Sequence, residues 1–190
     1  MVTDDGLTLV LTSPGPMGDS DIVIASRANT LSSFGMPTSL GAIGVINTTF
    51  PEGDPYILPD GKTVWFDVYT GAGDTEIYRA TAGAAGFNTI REKVLGVGSA
   101  KVDAYPVVTL DERTLYFASD RADPNALGDY DIYAATRAVT TDPFDAPKIL
   151  KVLNSADPEF PSWLSRDGCV LYLSRRVSGN YDIYKAERPQ

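Results

Sequence analysis

The chain has 190 residues, of which 43% are apolar and 22% are charged, so it can fill a hydrophobic core and is not an intrinsically disordered segment. It has no histidine and one cysteine, Cys169, which removes the usual catalytic triads, an internal disulfide and a multi-cysteine metal site. Its net charge of −9 argues against binding to a nucleic-acid backbone, and no apolar run is long enough for insertion into a membrane.

One pattern recurs four times along the chain, at a spacing of about 50 residues that is typical of repeat architectures. Each copy has an acidic turn, an apolar strand, a polar or glycine-rich loop, an acid-Ile pair and a second strand. The turn acids are Asp5, Asp60, Asp111 and Asp167, and the acid-Ile pairs begin at Asp21, Glu76, Asp131 and Asp182. We therefore predict one domain over residues 1–190, with units of roughly 1–50, 51–101, 102–156 and 157–190, each stacked on its neighbours.

Aligning the copies on the turn acid predicts four short strands per unit, named A to D, which is typical of an all-β repeat. Strand A is expected at 56–58, 106–109 and 162–165, and strand B at 7–12, 63–68, 114–119 and 170–174. Strand C is expected at 22–26, 77–81, 132–136 and 183–187, and strand D at 39–46, 91–95 and 148–152.

Strands B and C are apolar on both faces. In strand B of the third unit, Leu115 and Phe117 point one way while Tyr116 and Ala118 point the other. A sheet with one solvated face would alternate apolar and polar residues, so these strands are predicted to be buried on both sides. Four-stranded antiparallel sheets covered on both sides by their neighbours are the blades of a β-propeller.

The segment from Pro106 to Tyr133 resembles the WD40-like repeat of TolB-type propeller proteins, and the resemblance extends over essentially the whole chain. It implies a β-propeller and an exported protein, either periplasmic or at the cell surface. The chain begins within strand A of the first unit and ends beyond strand C of the fourth, so the first and last blades are predicted to be incomplete. We expect a fragment of a larger propeller, which closes as an imperfect four-blade ring, pairs with a second copy or remains an open array with exposed edges.

The turn acids and the strand-opening acids are both expected to be structural. Asp-Gly pairs favour type I′ hairpin turns, and Glu112, at the glycine position of the third turn, should be strained or require a different turn. The strand-opening carboxylates can accept backbone N–H groups from the preceding loop. Arg121, Arg175 and Arg176 follow strand B and are expected to form salt bridges between blades.

The loops that connect B to C and D to A should emerge on one face of a propeller. That face carries fourteen acidic and four basic residues, while the rest of the chain is close to neutral. Such a surface attracts a basic protein or peptide, although solubility alone is a sufficient explanation. The candidate partner-binding residues are Asp19, Asp54, Asp74, Asp103, Asp157 and Glu159.

A weaker possibility is calcium, the one cofactor that the sequence suggests. The densest oxygen cluster lies in the third B–C loop, and calcium accepts six to eight such ligands. The candidate ligands are Asp120, Asp123, Asp129 and Asp131.

The leading functional prediction is a non-catalytic module that binds a protein or peptide through this acidic face. The alternatives are a hydrolase or lyase acting on polysaccharide, the propeller part of a larger prolyl-oligopeptidase-type peptidase, and a purely structural repeat array. A glycosidase needs only two carboxylates, but acids that repeat in every unit argue against an active site, which usually breaks such symmetry.

Overall fold

The computed structural model describes residues 1–15, 19–41, 44–71, 73–88 and 91–188. Within these ranges the chain forms fourteen strands and no helix, and the strands pair into four antiparallel sheets. The described residues therefore include no helix that could cross a membrane.

Each sheet contains the strands of one repeat, in chain order. The first has β1 (Thr8–Pro14), β2 (Ser20–Ser26) and β3 (Thr38–Ser39), and the second has β4 (Glu52–Ile57), β5 (Thr63–Gly71), β6 (Asp74–Thr81) and β7 (Glu92–Lys93). The third has β8 (Asp103–Val108), β9 (Thr114–Ser119), β10 (Asp131–Thr136) and β11 (Lys148–Ile149). The fourth has β12 (Glu159–Leu164), β13 (Val170–Val177) and β14 (Asn180–Glu187).

The sheets pack flank to flank, as the apolar pattern predicted. One core cluster joins the first and second sheets, and a second cluster joins the second, third and fourth. Ile22, Ile77 and Ile132, which open strand C in three successive units, are fully buried. Residues of all four units, from strands A and B, line a central channel with a cavity of about 320 Å³. The fold is a β-propeller, and the first and fourth sheets have three strands each within the described residues.

The fourth sheet differs from the others on its outward face. Ile183, the counterpart of Ile77 and Ile132, is 81% exposed, and Tyr172 and Trp163 are each 38% exposed. The predicted burial on both faces therefore holds for strand C of the first three units and strand B of the second and third, is partial in strand B of the first, and fails for the fourth unit. The Arg166 guanidinium lies 3.0 Å from the Asp4 carboxylate, which links the fourth A–B turn to the first.

The outermost strands are shorter than predicted, with two residues each. After β7, the chain makes one more backbone hydrogen bond to strand C and then turns at Gly96, whose φ is +92°. A Cβ at Gly96 would lie 2.0 Å from the Phe144 carbonyl oxygen, so the close approach of the next unit requires glycine.

The predicted type I′ geometry of the A–B turns is wrong. Gly6, Gly61 and Gly168 have φ near +69°, but the preceding aspartates are not among the residues with positive φ, and their carboxylates accept an N–H two residues ahead. These are type I turns followed by a left-handed residue. Glu112 takes the same position with φ of +54° instead of forming a different turn. Its carboxylate binds the Arg79 guanidinium of the neighbouring unit through contacts of 2.5 and 2.9 Å.

Candidate functional site

Each complete inner strand begins with a buried acid that a neighbouring arginine holds. Glu52, Asp103 and Glu159 are fully buried, and a hydroxyl four residues earlier donates to each carboxylate. The paired guanidinium groups are those of Arg91, Arg121 and Arg175, at 2.5, 2.5 and 2.7 Å respectively. Each of these arginines also lies over the tyrosine that follows the acid-Ile pair of its own unit.

This arrangement corrects two expectations. Asp103 and Glu159, proposed as partner-binding residues, are enclosed and ion-paired, so a partner docking on the surface does not reach them. Arg121 and Arg175 pair with acids of their own sheet, so the predicted salt bridges between blades are wrong for these two residues. Arg79 and Glu112 form such an inter-blade salt bridge instead.

A bulge follows the buried acid in every complete inner strand. The register shifts between Gly53 and Tyr56, between Ala104 and Val107, and between Pro161 and Trp163, so that one extra residue lies on the inner strand. Bulges bend a strand and change the direction of its side chains. Two bulged residues, Asp54 and Tyr105, have φ of +46° and +57° and line the channel.

Asp54 meets a second carboxyl group, that of Asp67 in β5. The two side chains are hydrogen-bonded to each other, and Asp67 Oδ2 accepts the Tyr105 N–H at 3.2 Å. Burial and the negative charge of Asp54 raise the pKa of Asp67 well above its usual range. Asp54 is half-buried, which raises its own pKa, while the hydrogen bond to Asp67 lowers it. Two adjacent carboxylates cannot both ionise easily, so Asp67 keeps the proton and Asp54 carries the charge.

Aromatic side chains surround this acid pair at the channel mouth. The Phe160 ring lies 4.6 Å from Tyr105, 5.5 Å from Tyr130 and 6.1 Å from Tyr181, measured between ring centroids. Together with Asp54 and Asp67 these rings line a cavity of about 370 Å³. Burial and the two nearby carboxyl groups raise the pKa of Tyr105, so its hydroxyl stays neutral at physiological pH.

The acidic loop face presents fewer accessible acids than the sequence suggested. Six of its fourteen acids are buried: Asp21, Glu52, Glu76, Asp103, Asp131 and Glu159. The other eight are at least partly accessible: Asp19, Asp54, Asp74, Asp120, Asp123, Asp129, Asp157 and Asp182. Of the predicted partner-binding residues, Asp54 lies at the channel mouth, Asp19 and Asp157 lie in loops, and Asp74 begins β6.

The four predicted calcium ligands do not converge. Asp120 accepts the Val102 N–H at 2.8 Å, Asp123 accepts the Asn125 N–H at 2.7 Å, and Asp129 is exposed. Asp131 accepts the Leu127 N–H at 2.9 Å, as expected for a strand-opening acid. Among the residues that the structure describes, which include this whole loop, no three acidic or cysteine side chains are placed to hold a metal ion.

Five residues of the channel mouth were missed from the sequence: Asp67, Tyr105, Tyr130, Phe160 and Tyr181. Asp67 is an acid in the middle of an otherwise apolar strand, which was a usable signal. A second signal was proline within predicted inner strands, as at Pro106, because proline inside a sheet is confined to edges and bulges.

No family model matches this chain, and no curated protein matches it in sequence. Solved structures do share its fold. TolB from Acinetobacter baumannii superimposes with a TM-score of 0.60 at 16% identity, over 97% of this chain and 40% of that one. A thermostable family-43 glycoside hydrolase superimposes with a TM-score of 0.58 at 15% identity, over 100% of this chain and 75% of that one. A Mycobacterium tuberculosis puromycin-hydrolyzing peptidase superimposes with a TM-score of 0.52 at 16% identity, over 96% of this chain and 28% of that one. These similarities establish a propeller fold that both TolB proteins and enzymes share.

Proposed function

We propose that this propeller is a non-catalytic module that binds a protein or peptide through its acidic loop face, with a cationic side chain entering the channel mouth. The observation that carries the proposal is the contact between the Asp54–Asp67 pair and the aromatic cluster around Phe160. The similarity to TolB supports a binding role for the fold.

The chemistry of the mouth favours a cation over a neutral group. Asp54 supplies one negative charge in a partly enclosed cavity, where an ionic contact is stronger than in bulk water. The faces of Tyr105, Phe160 and Tyr181 provide the electron-rich surfaces that attract ammonium and guanidinium groups. The remaining accessible acids of the loop face would draw a basic partner towards this point.

The same acid pair argues against hydrolysis of a glycoside. The carboxyl groups of retaining and inverting glycosidases are separated by roughly 5 Å or more, to admit the sugar or an attacking water. Asp54 and Asp67 are hydrogen-bonded to each other and leave no such space. Hydrolysis remains the second candidate, because a carboxyl with a raised pKa at the channel mouth is also what a general acid requires.

An exported location is part of the proposal. It is supported by the resemblance of the repeats to those of TolB-type proteins and by the structural similarity to TolB. Fractionation of cells expressing the protein from its own gene should recover it outside the cytoplasm. Recovery with cytoplasmic markers would reject this part of the proposal.

The direct test uses two capped pentapeptides that differ only at the central residue, arginine in one and citrulline in the other. Isothermal titration should show at least about tenfold tighter binding of the arginine peptide, which corresponds to one ionic contact. Asp54→Asn should remove this preference. Asp60→Asn is the matched control, because it makes the same charge change in an A–B turn on the opposite face and should keep the preference.

Equal binding of the two peptides, or an unchanged preference in Asp54→Asn, would reject the proposal. Steady release of chromophore from a panel of aryl glycosides, abolished by Asp67→Asn, would establish the second candidate instead.

A further inference from the structure

A second cavity, of about 380 Å³, lies between the second and third sheets, away from the channel. Trp65 of β5 and the β6–β7 side of the second sheet form one wall. The loop that follows β10 forms the other wall, and the Phe144 N–H ties this loop to the Leu95 carbonyl at 2.9 Å. Arg137, at the start of that loop, lies beside Trp65 inside the cavity.

Arg137 and Trp65 each have a buried donor without a hydrogen-bond acceptor among the described residues. Arg137 Nε donates to the Glu112 carbonyl at 2.8 Å and Nη1 to the Asp142 carbonyl at 3.4 Å, but Nη2 has no acceptor. Trp65 is fully buried, and its Nε1 also has no acceptor. A buried donor without an acceptor costs about 1–3 kcal/mol, so two of them in one cavity require an explanation.

Comparison with the equivalent pair between the third and fourth sheets shows why these donors lack acceptors. Trp65 and Arg137 occupy the same places in their units as Tyr116 and Arg188, which meet between the third and fourth sheets. There the Tyr116 hydroxyl accepts from Arg188 Nη2 at 3.1 Å. Tyrosine can accept a hydrogen bond, whereas the indole N–H of tryptophan can only donate. Tryptophan at this place therefore offers Arg137 no acceptor.

The charge of Arg137 also lacks a partner. Of the other cations in the cavity, Arg79 is paired with Glu112 and Lys93 Nζ lies 2.6 Å from the Glu76 carboxylate. The Arg137 guanidinium donates to backbone carbonyls and lies over the rings of Phe144, at 4.4 Å, and Trp65, at 5.8 Å, and it forms no salt bridge with a described carboxylate. Burial lowers the pKa of Arg137, the nearby carboxylates of Glu112 and Asp142 partly oppose this, and the positive charge of Arg79 adds to the lowering. The carboxylates of Glu92 and Asp142 lie at the exposed rim.

We infer that this cavity binds a small oxyanion, a carboxylate or phosphate group, between Arg137 Nη2 and Trp65 Nε1. One oxyanion supplies acceptors to both donors and a negative charge to the unpaired guanidinium. The volume of the cavity exceeds the roughly 30 Å³ that one water molecule occupies, so there is room for such a group. This site is separate from the channel mouth and does not depend on the function proposed for it.

Trp65 itself provides the reporter. The chain has two tryptophans, so Trp163→Phe leaves Trp65 as the only one, and its fluorescence is then titrated with sodium malonate or inorganic phosphate at constant ionic strength. We expect a saturable change with a midpoint below about 10 mM, together with a rise in melting temperature as ligand is added.

Two variants and one control define the site. Arg137→Gln should weaken binding of the anion at least about tenfold, since among the described residues of the cavity Arg137 is the cation that no carboxylate pairs. Trp65→Tyr recreates the Tyr116–Arg188 pair, so the melting temperature in anion-free buffer should rise and no longer respond to malonate. Arg27→Gln is the matched control. Arg27 holds the equivalent loop of the first unit, where its Nε donates to the Gly6 carbonyl. The Arg27→Gln variant should therefore keep the response to the anion.

The inference is overturned if neither anion gives a saturable fluorescence signal up to about 50 mM. That result would indicate that water molecules accept from the two donors. It is also overturned if Trp65→Tyr keeps the anion response or if Arg27→Gln loses it. Should Arg137→Gln fail to fold, the comparison between wild type and Trp65→Tyr still decides the question.

Discussion

Arg91 Nη1 lies 2.5 Å from the Glu52 carboxylate, although Arg91 immediately precedes the outermost strand of its sheet and Glu52 begins the innermost. The same atom donates to the Ile46 carbonyl at 3.0 Å. In the third and fourth units, Arg121 and Arg175 make the equivalent pair of contacts from the end of strand B or just beyond it. The buried arginine–acid contact is thus retained in successive units, although the arginine occupies a different position in the sequence of each unit.

These buried ion pairs should be important for stability. Asp103→Asn leaves the Arg121 guanidinium without its counter-ion in an enclosed place, so we expect a loss of about 3 kcal/mol in the free energy of unfolding. Urea denaturation followed by circular dichroism measures this change. Glu187→Gln is the control, because the Lys185–Glu187 pair is exposed and should contribute little to the free energy of unfolding. Similar losses in both variants would contradict the structural role of Asp103.

The left-handed turn at Glu112 gives a second prediction. Glu112→Gln keeps the strained backbone but weakens the salt bridge to Arg79, and should cost about 1 kcal/mol. Glu112→Gly also loses the salt bridge, but it relieves the strain by about 1 kcal/mol and should remain closer to wild type. Thermal unfolding of the two variants side by side measures the difference. A glycine variant less stable than the glutamine variant would show that the positive φ carries no strain.

The carboxyl pair at the channel mouth predicts a pH dependence. Asp67 has a raised pKa in the folded protein, so the folded state binds its proton more tightly than the unfolded state does. Its stabilising contribution is therefore complete below the unfolded pKa, near 3.8, and is lost as the pH rises through the folded pKa. Asp67→Asn should be more stable than wild type at pH 7, and this advantage should shrink towards pH 4. A constant difference across melting curves from pH 4 to pH 8 would exclude the shared proton.

Pairing with a second copy stays a prediction. The outward face of the fourth sheet exposes Ile183, Tyr172 and Trp163, an apolar surface of the kind that marks an interface. If a second copy covers it, sedimentation equilibrium should give twice the 20.4 kDa chain mass, and Ile183→Asp should restore the monomer. A monomeric wild-type protein at all accessible concentrations would remove the homodimer from consideration.

The strands could be predicted from the sequence because their signal is local. Strands B and C are apolar on both faces, and the turn acids fix the register of each copy, so β9 begins and ends at the predicted residues. The burial of Ile22, Ile77 and Ile132 follows from the same pattern.

The channel mouth could not be predicted in the same way, because it depends on non-local contacts. The inner-strand bulges turn Asp54 and Tyr105 into the channel, where Asp54 meets Asp67 of the adjacent strand. Phe160 comes from another unit altogether. Counting loop charges placed Asp103 and Glu159 on the surface, since the sequence does not show which carboxylate an arginine covers.

The most direct test of the binding proposal is the ¹H–¹⁵N correlation spectrum of the protein, titrated with the capped arginine pentapeptide. NMR detects the weak binding expected of a short peptide and identifies the residues affected. We predict that shifts concentrate at Asp54, Tyr105, Tyr130, Phe160 and Tyr181, and that the citrulline peptide leaves these signals in place. Shifts confined to the A–B turns or to the outward face of the fourth sheet, with an unperturbed channel mouth, would contradict the account.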